Sequence, residues 1–113
     1  MKNQLQTFNN EEFGTIRTLF INGEIWFVTA DVCRALDLGD TSKAVSRLKE
    51  NEKGTNNIPT LGGVQEMLIV NEPGLYRLIF SSRKPNAEKF QNWVTNKVLP
   101  SIRKYGYYVA PNK

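Results

Sequence analysis

Histidine is absent from this sequence of 113 residues, and cysteine occurs once, at Cys33. Without histidine, the Ser-His-Asp and Cys-His arrangements cannot form, and the commonest general base and metal ligand is missing. A single cysteine can form neither an internal disulfide nor a thiolate zinc site. Since only carboxylates and lysines remain for catalysis, we expect no enzymatic activity, no cofactor and no metal.

Long apolar stretches are missing as well. No run approaches the roughly 18 apolar residues of a membrane span, and the first residues, MKNQLQTFNNEE, lack the apolar centre of a secretory signal. We therefore expect a cytoplasmic protein that does not bind a membrane. A magnesium-dependent nuclease needs carboxylates held close together, whereas the carboxylates of residues 31–52 are scattered at predicted caps and loops.

Positive charge is scarce early in the chain and concentrated late. Through Tyr76, seven Lys and Arg are outnumbered by ten Asp and Glu, but from Arg77 onward eight basic residues accompany one acid, Glu88. This asymmetry, within a net charge of +4, is typical of a surface that binds a polyanion. An ordinary solvated surface would be the alternative explanation.

The pattern over residues 4–28 predicts strands. Two apolar-rich segments, 13–21 and 24–28, flank Asn22-Gly23, a pair typical of two-residue hairpin turns. A second pair of strands is predicted at 58–61 and 64–70, after a polar loop at 49–57. With the helices between and after these strands, we expect an α+β domain built on a small antiparallel sheet.

Two short helices are predicted after the first hairpin. Thr29 would cap a helix over 30–38 that Gly39 ends in a left-handed conformation. Asp40 or Thr41 would cap a second helix at about 42–48. The pair has helix-turn-helix proportions, although two amphipathic helices that simply cover the sheet would look the same. If it is a helix-turn-helix, the side chains that approach base edges are Ser42, Lys43, Ser46 and Arg47, with Lys49 at a phosphate.

Longer helices are predicted in the last third. Asn71 would cap a helix over 72–81, and an apolar stripe at helical spacing runs from Ala87 to Ile102. Pro100 lacks the N–H that the helix needs, so we expect a kink at 96–99 or a break. Tyr107–Val109 would leave as an extended segment.

The late cations form the main candidate site. At about 100° per residue, Lys89, Lys97 and Lys104 share a broad face of a straight helix. The predicted phosphate ligands are Arg83, Lys84, Lys89, Lys97, Arg103 and Lys104, with Lys43, Arg47 and Lys49 as a second line of DNA contacts. Among the aromatic residues nearby, Phe90 and Trp93 are expected in the core, and Tyr105, Tyr107 and Tyr108 could stack on bases or support self-association.

Three segments resemble the Bro-N domain, the N-terminal domain of baculovirus repeated-ORF proteins and phage antirepressors: WFVTADVCRALDL at 26–38, LGG at 61–63, and NEPGLYRLIFSSRKPNAEKFQNWVTNKVLPSIRKYGYY at 71–108. The resemblance, with a family-like core over about 13–108, implies a single domain at the N-terminal part of a longer viral or prophage protein. It implies a module of a transcription regulator that binds double-stranded DNA in the bacterial cytoplasm.

Two further expectations concern partners. An antirepressor can act by binding and inactivating a phage repressor without touching DNA, and its footprint would be an exposed apolar patch with little salt sensitivity. A homodimer would suit paired DNA half-sites, but the sequence leaves the oligomeric state open.

Overall fold

A computed structural model describes residues 4–82 and 84–105, with the backbone alone at Gln4, Lys104 and Tyr105. It confirms the α+β class: five antiparallel strands lie in the order β1-β2-β3-β5-β4. The strands are β1 (Gln4–Asn10), β2 (Gly14–Ile21), β3 (Glu24–Val28), β4 (Lys53–Thr60) and β5 (Gly63–Asn71). The helices are α1 (Thr29–Ala35), α2 (Thr41–Ser46), a 3₁₀ turn (Glu50–Glu52), α3 (Glu72–Ser81), α4 (Ala87–Trp93), a π turn (Val94–Val98) and α5 (Leu99–Tyr105).

The first hairpin forms as predicted. Asn22 and Gly23 both take positive φ, 50° and 82°, and Ile21 pairs with Glu24 across the turn. Positive φ at both central residues gives the backbone twist that joins two strands directly, and Asn-Gly is the pair that adopts it at least cost.

The sheet separates two apolar clusters by strand alternation. Ile16, Phe27 and Val70 point to the face that the helices cover and belong to the larger cluster. Their neighbours along the strands point the other way, and Val28 and Ile69 form the smaller cluster with Leu19 and Ile58. Burial of each such side chain stabilises the fold by about 1.5–3 kcal/mol, so both faces contribute to the core.

A buried carboxylate fixes α1 to the sheet. Asp31 is 2% exposed and accepts from Nε and Nη2 of Arg17 at 2.8 Å each, and from the backbone N–H of Arg17 at 2.9 Å. Nη1 of Arg34 donates to the same carboxylate at 3.2 Å. The hydrogen bond to Asp31 raises the pKa of Arg17. The first turn of α1 is thereby fixed to the middle of β2.

Both ends of α1 differ from the prediction. Val28 occupies the N-cap position, and the Thr29 hydroxyl is buried with no hydrogen-bond partner among the described residues. At the other end Asp37, not Gly39, takes the left-handed conformation, with φ 57°. The N–H of Leu38 then bonds to the carbonyl of Cys33 at 2.8 Å, as in a Schellman motif. This bond ends α1 three residues earlier than predicted, at Ala35.

The prediction of a loop at 49–57 is also wrong in part. Lys53–Thr60 is strand β4, which pairs with β5 along its whole length. It is polar because it is a sheet edge that turns one face to solvent. Ile58, at 0% exposure, supplies its contact with the smaller cluster.

The expected interruption before Pro100 is a π turn, in which the N–H of Leu99 bonds to the carbonyl of Val94. In an unbroken α-helix, Leu99 and Ile102 would lie about 180° and 120° around the axis from Phe90. A π turn holds one extra residue, which brings both back by about 100°. Leu99 and Ile102 are accordingly buried, at 2% exposure each.

The helix that follows β5 also begins where the sequence predicts. Asn71 caps α3 as predicted, because its side chain accepts from the N–H of Gly74. The predicted extended segment Tyr107–Val109 lies outside the described residues. Among the described residues, no helix has both the length and the apolar character needed to cross a membrane.

Candidate nucleic-acid interface

The start of α3 is held tightly against the segment that precedes β4. The N–H of Gly74 donates to Oδ1 of Asn71 at 3.0 Å, and the amide of Asn71 donates to the carbonyl of Asn51 at 3.0 Å. A Cβ at position 74 would lie 2.8 Å from the carbonyl oxygen of Glu52. Glycine at this position therefore allows the 3₁₀ turn to pass directly beside the first turn of α3.

A salt bridge continues this contact along α3. Nε of Arg77 donates to both carboxylate oxygens of Glu52, at 2.8 and 2.9 Å, and the N–H of Lys49 donates at 3.0 Å. The hydrogen bond from Arg77 is the largest cause that lowers the pKa of Glu52. The segment from α2 to β4 thus runs beside α3, and Arg77 is neutralised.

An open cleft of about 200 Å³ lies between α2 and the last turn of α3. Lys43, on α2, and Arg47, the residue that ends this helix, lie one turn apart and line the cleft together with Ser81. The structure shows no ion pair for either cation among the residues it describes. Asp40 also lines the cleft, where it accepts from the N–H of Lys43 at 3.0 Å as the cap of α2. These three side chains together carry a formal charge of +1.

The link between α3 and α4 packs beside this cleft. The Ser82 hydroxyl donates to the carbonyl of Leu36 at 3.0 Å, and Nζ of Lys84 lies 2.8 Å from Oδ2 of Asp37. The hydrogen bond to Asp37 raises the pKa of Lys84. Asp37 thus neutralises Lys84, which is not among the residues that line the cleft.

The other predicted cations occupy three different places. Lys89 and Lys97 are exposed and have no ion pair within residues 4–82 and 84–105. In a regular α-helix Lys89 and Lys97 would lie about 80° apart around the axis, and the π turn reduces this angle to about 20°. Nη2 of Arg103 lies 3.4 Å from Oε1 of Glu72, at the opposite end of α3 from the cleft and about 14 Å away along its axis.

Three more cations belong to the predicted set of DNA contacts. Lys49 is exposed, and its side chain forms no ion pair within the described part of the chain. Arg83 lies outside the described residues, and the side chain of Lys104 is not described. The structure thus places Lys43 and Arg47 at one cleft and Arg103 at the other end of α3, and the single cationic strip through Arg103 stays a prediction.

The aromatic residues divide between core and surface. Phe90 and Trp93 pack with Phe13, at centroid distances of 5.2 and 6.1 Å from its ring, as expected for core residues. Phe80 is instead 79% exposed. The sequence signal for this was its absence from the buried stripe of α3, since Leu78 and Ile79 fill the inward positions. Of Tyr105 the side chain is not described, and Tyr107 and Tyr108 lie outside the described residues.

Metal ligands and a reactive thiol are the two other chemical features that a site could contain. Within the described residues, no group of three or more Cys, Asp or Glu side chains could hold a metal ion. Cys33 is buried, and burial raises the pKa of its thiol, which leaves little thiolate for nucleophilic chemistry.

Comparison with known proteins gives a consistent set of matches. The model of the BRO family, N-terminal domain, matches residues 15–100. An uncharacterised protein of Haemophilus influenzae is 45% identical over 111 residues, which cover 96% of this chain and 55% of that protein. A protein named for a Bro-N domain, 201R of Invertebrate iridescent virus 6, is 36% identical over 95% of this chain and 30% of its own length. The chain thus spans about half or less of these relatives. No solved structure matches.

Proposed function

The chain belongs to the BRO family as one of its N-terminal domains, and on this basis we propose that it binds double-stranded DNA without catalysis. We place it in a phage or prophage transcription regulator of the antirepressor type. The relatives that the chain matches are longer than the chain itself, so the proposal concerns only the module that this chain forms.

The cleft between α2 and α3 is the observation that carries the proposal. Lys43 and Arg47 line it together and form no ion pair among the described residues. Unpaired cations that share one open surface can exchange their counterions for phosphates, which is the main source of DNA affinity. Arg103 and Arg77, which face carboxylates, would have to break an ion pair first and so contribute less.

Three other predicted DNA-contacting cations lie outside the residues that line the cleft. Lys89 and Lys97 lie along α4 and the π turn, and Lys49 follows α2. With Lys43 and Arg47, five unpaired cations are available within the described part of the chain. If each neutralises one phosphate, the logarithm of the association constant should fall against the logarithm of salt concentration with a slope of about −4.5.

The test is fluorescence anisotropy with a labelled 24-base-pair duplex, titrated between 50 and 300 mM KCl. The variant Lys43→Gln/Arg47→Gln should reduce the steepness of the slope by about 1.8 and weaken binding about 30-fold near 0.15 M salt. The matched control, Thr7→Glu/Asn9→Asp, changes the net charge by the same amount at two exposed positions of β1. It should leave the slope nearly unchanged.

Two results would contradict the proposal. One is the absence of salt-dependent binding by the unaltered chain, which would favour the alternative that the module binds a repressor protein and no DNA. The other is an equal loss in the cleft variant and in the control, because net charge, and not the cleft, would then explain the affinity.

A further inference from the structure

Phe80 is an exposed aromatic residue of α3 whose ring lies off the buried face of that helix. Leu75, Leu78 and Ile79 form the buried face of α3, and position 80 follows Ile79 by about 100° around the axis, away from the core. The ring is 79% exposed, so most of its apolar surface contributes nothing to folding. Its neighbour along the helix, Ser81, lines the cleft of Lys43 and Arg47.

We propose that Phe80 stacks on the face of a nucleobase while the cations of the cleft hold the adjacent phosphates. This inference rests on the proposed DNA binding and adds to it a non-electrostatic contact. An exposed aromatic ring one residue away from a side chain that lines a cationic cleft offers the two contacts, stacking and charge, by which proteins bind nucleic acid together. An apolar protein partner would gain from Phe80 but would have to desolvate Lys43 and Arg47 without compensation.

The face of a base can come from two sources. In duplex DNA it becomes available when an apolar side chain inserts at a base step and kinks the helix. In single-stranded DNA it is already open. In both cases the contact is with the π surface of a base, and its contribution should be largely independent of salt.

This difference separates Phe80 from the cations experimentally. The variant Phe80→Ala should weaken binding about 5- to 150-fold at every salt concentration and leave the slope unchanged. Phe80→Trp should bind as tightly as the unaltered chain, because an indole ring can also stack on a base. The fluorescence of the new indole should be quenched on binding. The control is Leu61→Ala, which removes an even more exposed apolar side chain on the β4–β5 turn and should have no effect.

The probes are a 24-base-pair duplex, the same duplex with a central mismatch, and an oligo(dT) of 24 nucleotides. A loss with Phe80→Ala on the duplexes, larger with the mismatch, indicates insertion at a base step. A loss on oligo(dT) alone indicates an unpaired base. Unchanged affinity of Phe80→Ala for all three probes, with normal salt-dependent binding by the unaltered chain, would overturn the stacking contact and leave the proposed function intact. A changed slope would overturn it too, since Phe80 would then act through the cations. If the unaltered chain binds no probe, both proposals fail.

Discussion

Replacement of the buried Asp31 by Asn should destabilise the protein, because it removes the carboxylate that joins α1 to β2. Asp31 is 2% exposed and accepts three hydrogen bonds from Arg17 and one from Arg34. An asparagine keeps the volume but turns an N–H₂ group toward the guanidinium donors, which then lose an acceptor. Removal of one partner from a buried ion pair costs about 3–5 kcal/mol.

The exposure of the two arginines reduces this magnitude. Their side chains are 24% and 52% exposed, so water can solvate part of the charge that Asp31→Asn leaves unpaired. We therefore expect a loss of about 2–3 kcal/mol in the free energy of unfolding. For a domain of 113 residues, an unfolding entropy of about 2.1 cal/mol/K per residue converts this loss into a fall of about 8–13 °C in Tm.

Circular dichroism during thermal and urea unfolding measures both quantities. Asp37→Asn is the control, because Asp37 is an exposed carboxylate, paired with Lys84 at the surface, and asparagine tolerates its positive φ. The control should change the free energy by less than about 0.5 kcal/mol. If Asp31→Asn changed stability no more than the control, the ion pair would not be what fixes α1 to β2.

Three further predictions concern other polar and tightly packed positions. Because Arg77 lowers the pKa of Glu52 from 4.5, the stability that this pair provides is present above pH 4.5 and lost as the pH falls through the lowered pKa. Glu52→Gln should flatten this acid limb in urea midpoints measured from pH 6 to 3, and parallel limbs would refute it. Burial raises the pKa of Tyr76 from 10.0 to about 12, so stability should fall as the pH rises above 10. Tyr76→Phe should reduce that fall in Tm between pH 9 and 11.5, and an unchanged slope would show that the phenol is not involved. Gly74→Ala should cost about 1–3 kcal/mol because its Cβ would lie 2.8 Å from the carbonyl of Glu52. Gly62→Ala, with its nearest atoms at 3.9 Å, is the control, and equal urea midpoints for the two would contradict the packing argument.

Elements whose signals are local could be predicted from the sequence. Asn22-Gly23 favours the hairpin turn through the conformations that these two residues adopt. Asn71 accepts from a backbone N–H only three residues later. Pro100 has no backbone N–H to donate, whatever its surroundings. Each of these depends on neighbours within one turn of chain. The position of the interruption was predictable for the same reason, although its π geometry depends on the burial of Leu99 and Ile102.

Elements that depend on distant residues could not be predicted. The polar strand β4 forms because β5 supplies a full ladder of hydrogen bonds, which its own composition does not indicate. The candidate site shows the same limit: Arg103 and its partner Glu72 lie 31 positions apart in the chain. Which cations stay unpaired therefore became evident only when the helices were placed together.

The π turn at Val94–Val98 has a consequence for the geometry of the whole C-terminal helix. Deletion of one residue there would leave a regular α-helix in which Ile102 and Arg103 keep their present faces, because the π turn holds one residue more than an α-helical turn. Insertion of one residue, by contrast, would rotate every later position by about 100°, so that Ile102 would leave the core and Arg103 would turn away from Glu72. The number of residues in the π turn thus sets which face of α5 meets the core, so an insertion there would turn a different face of that helix inward.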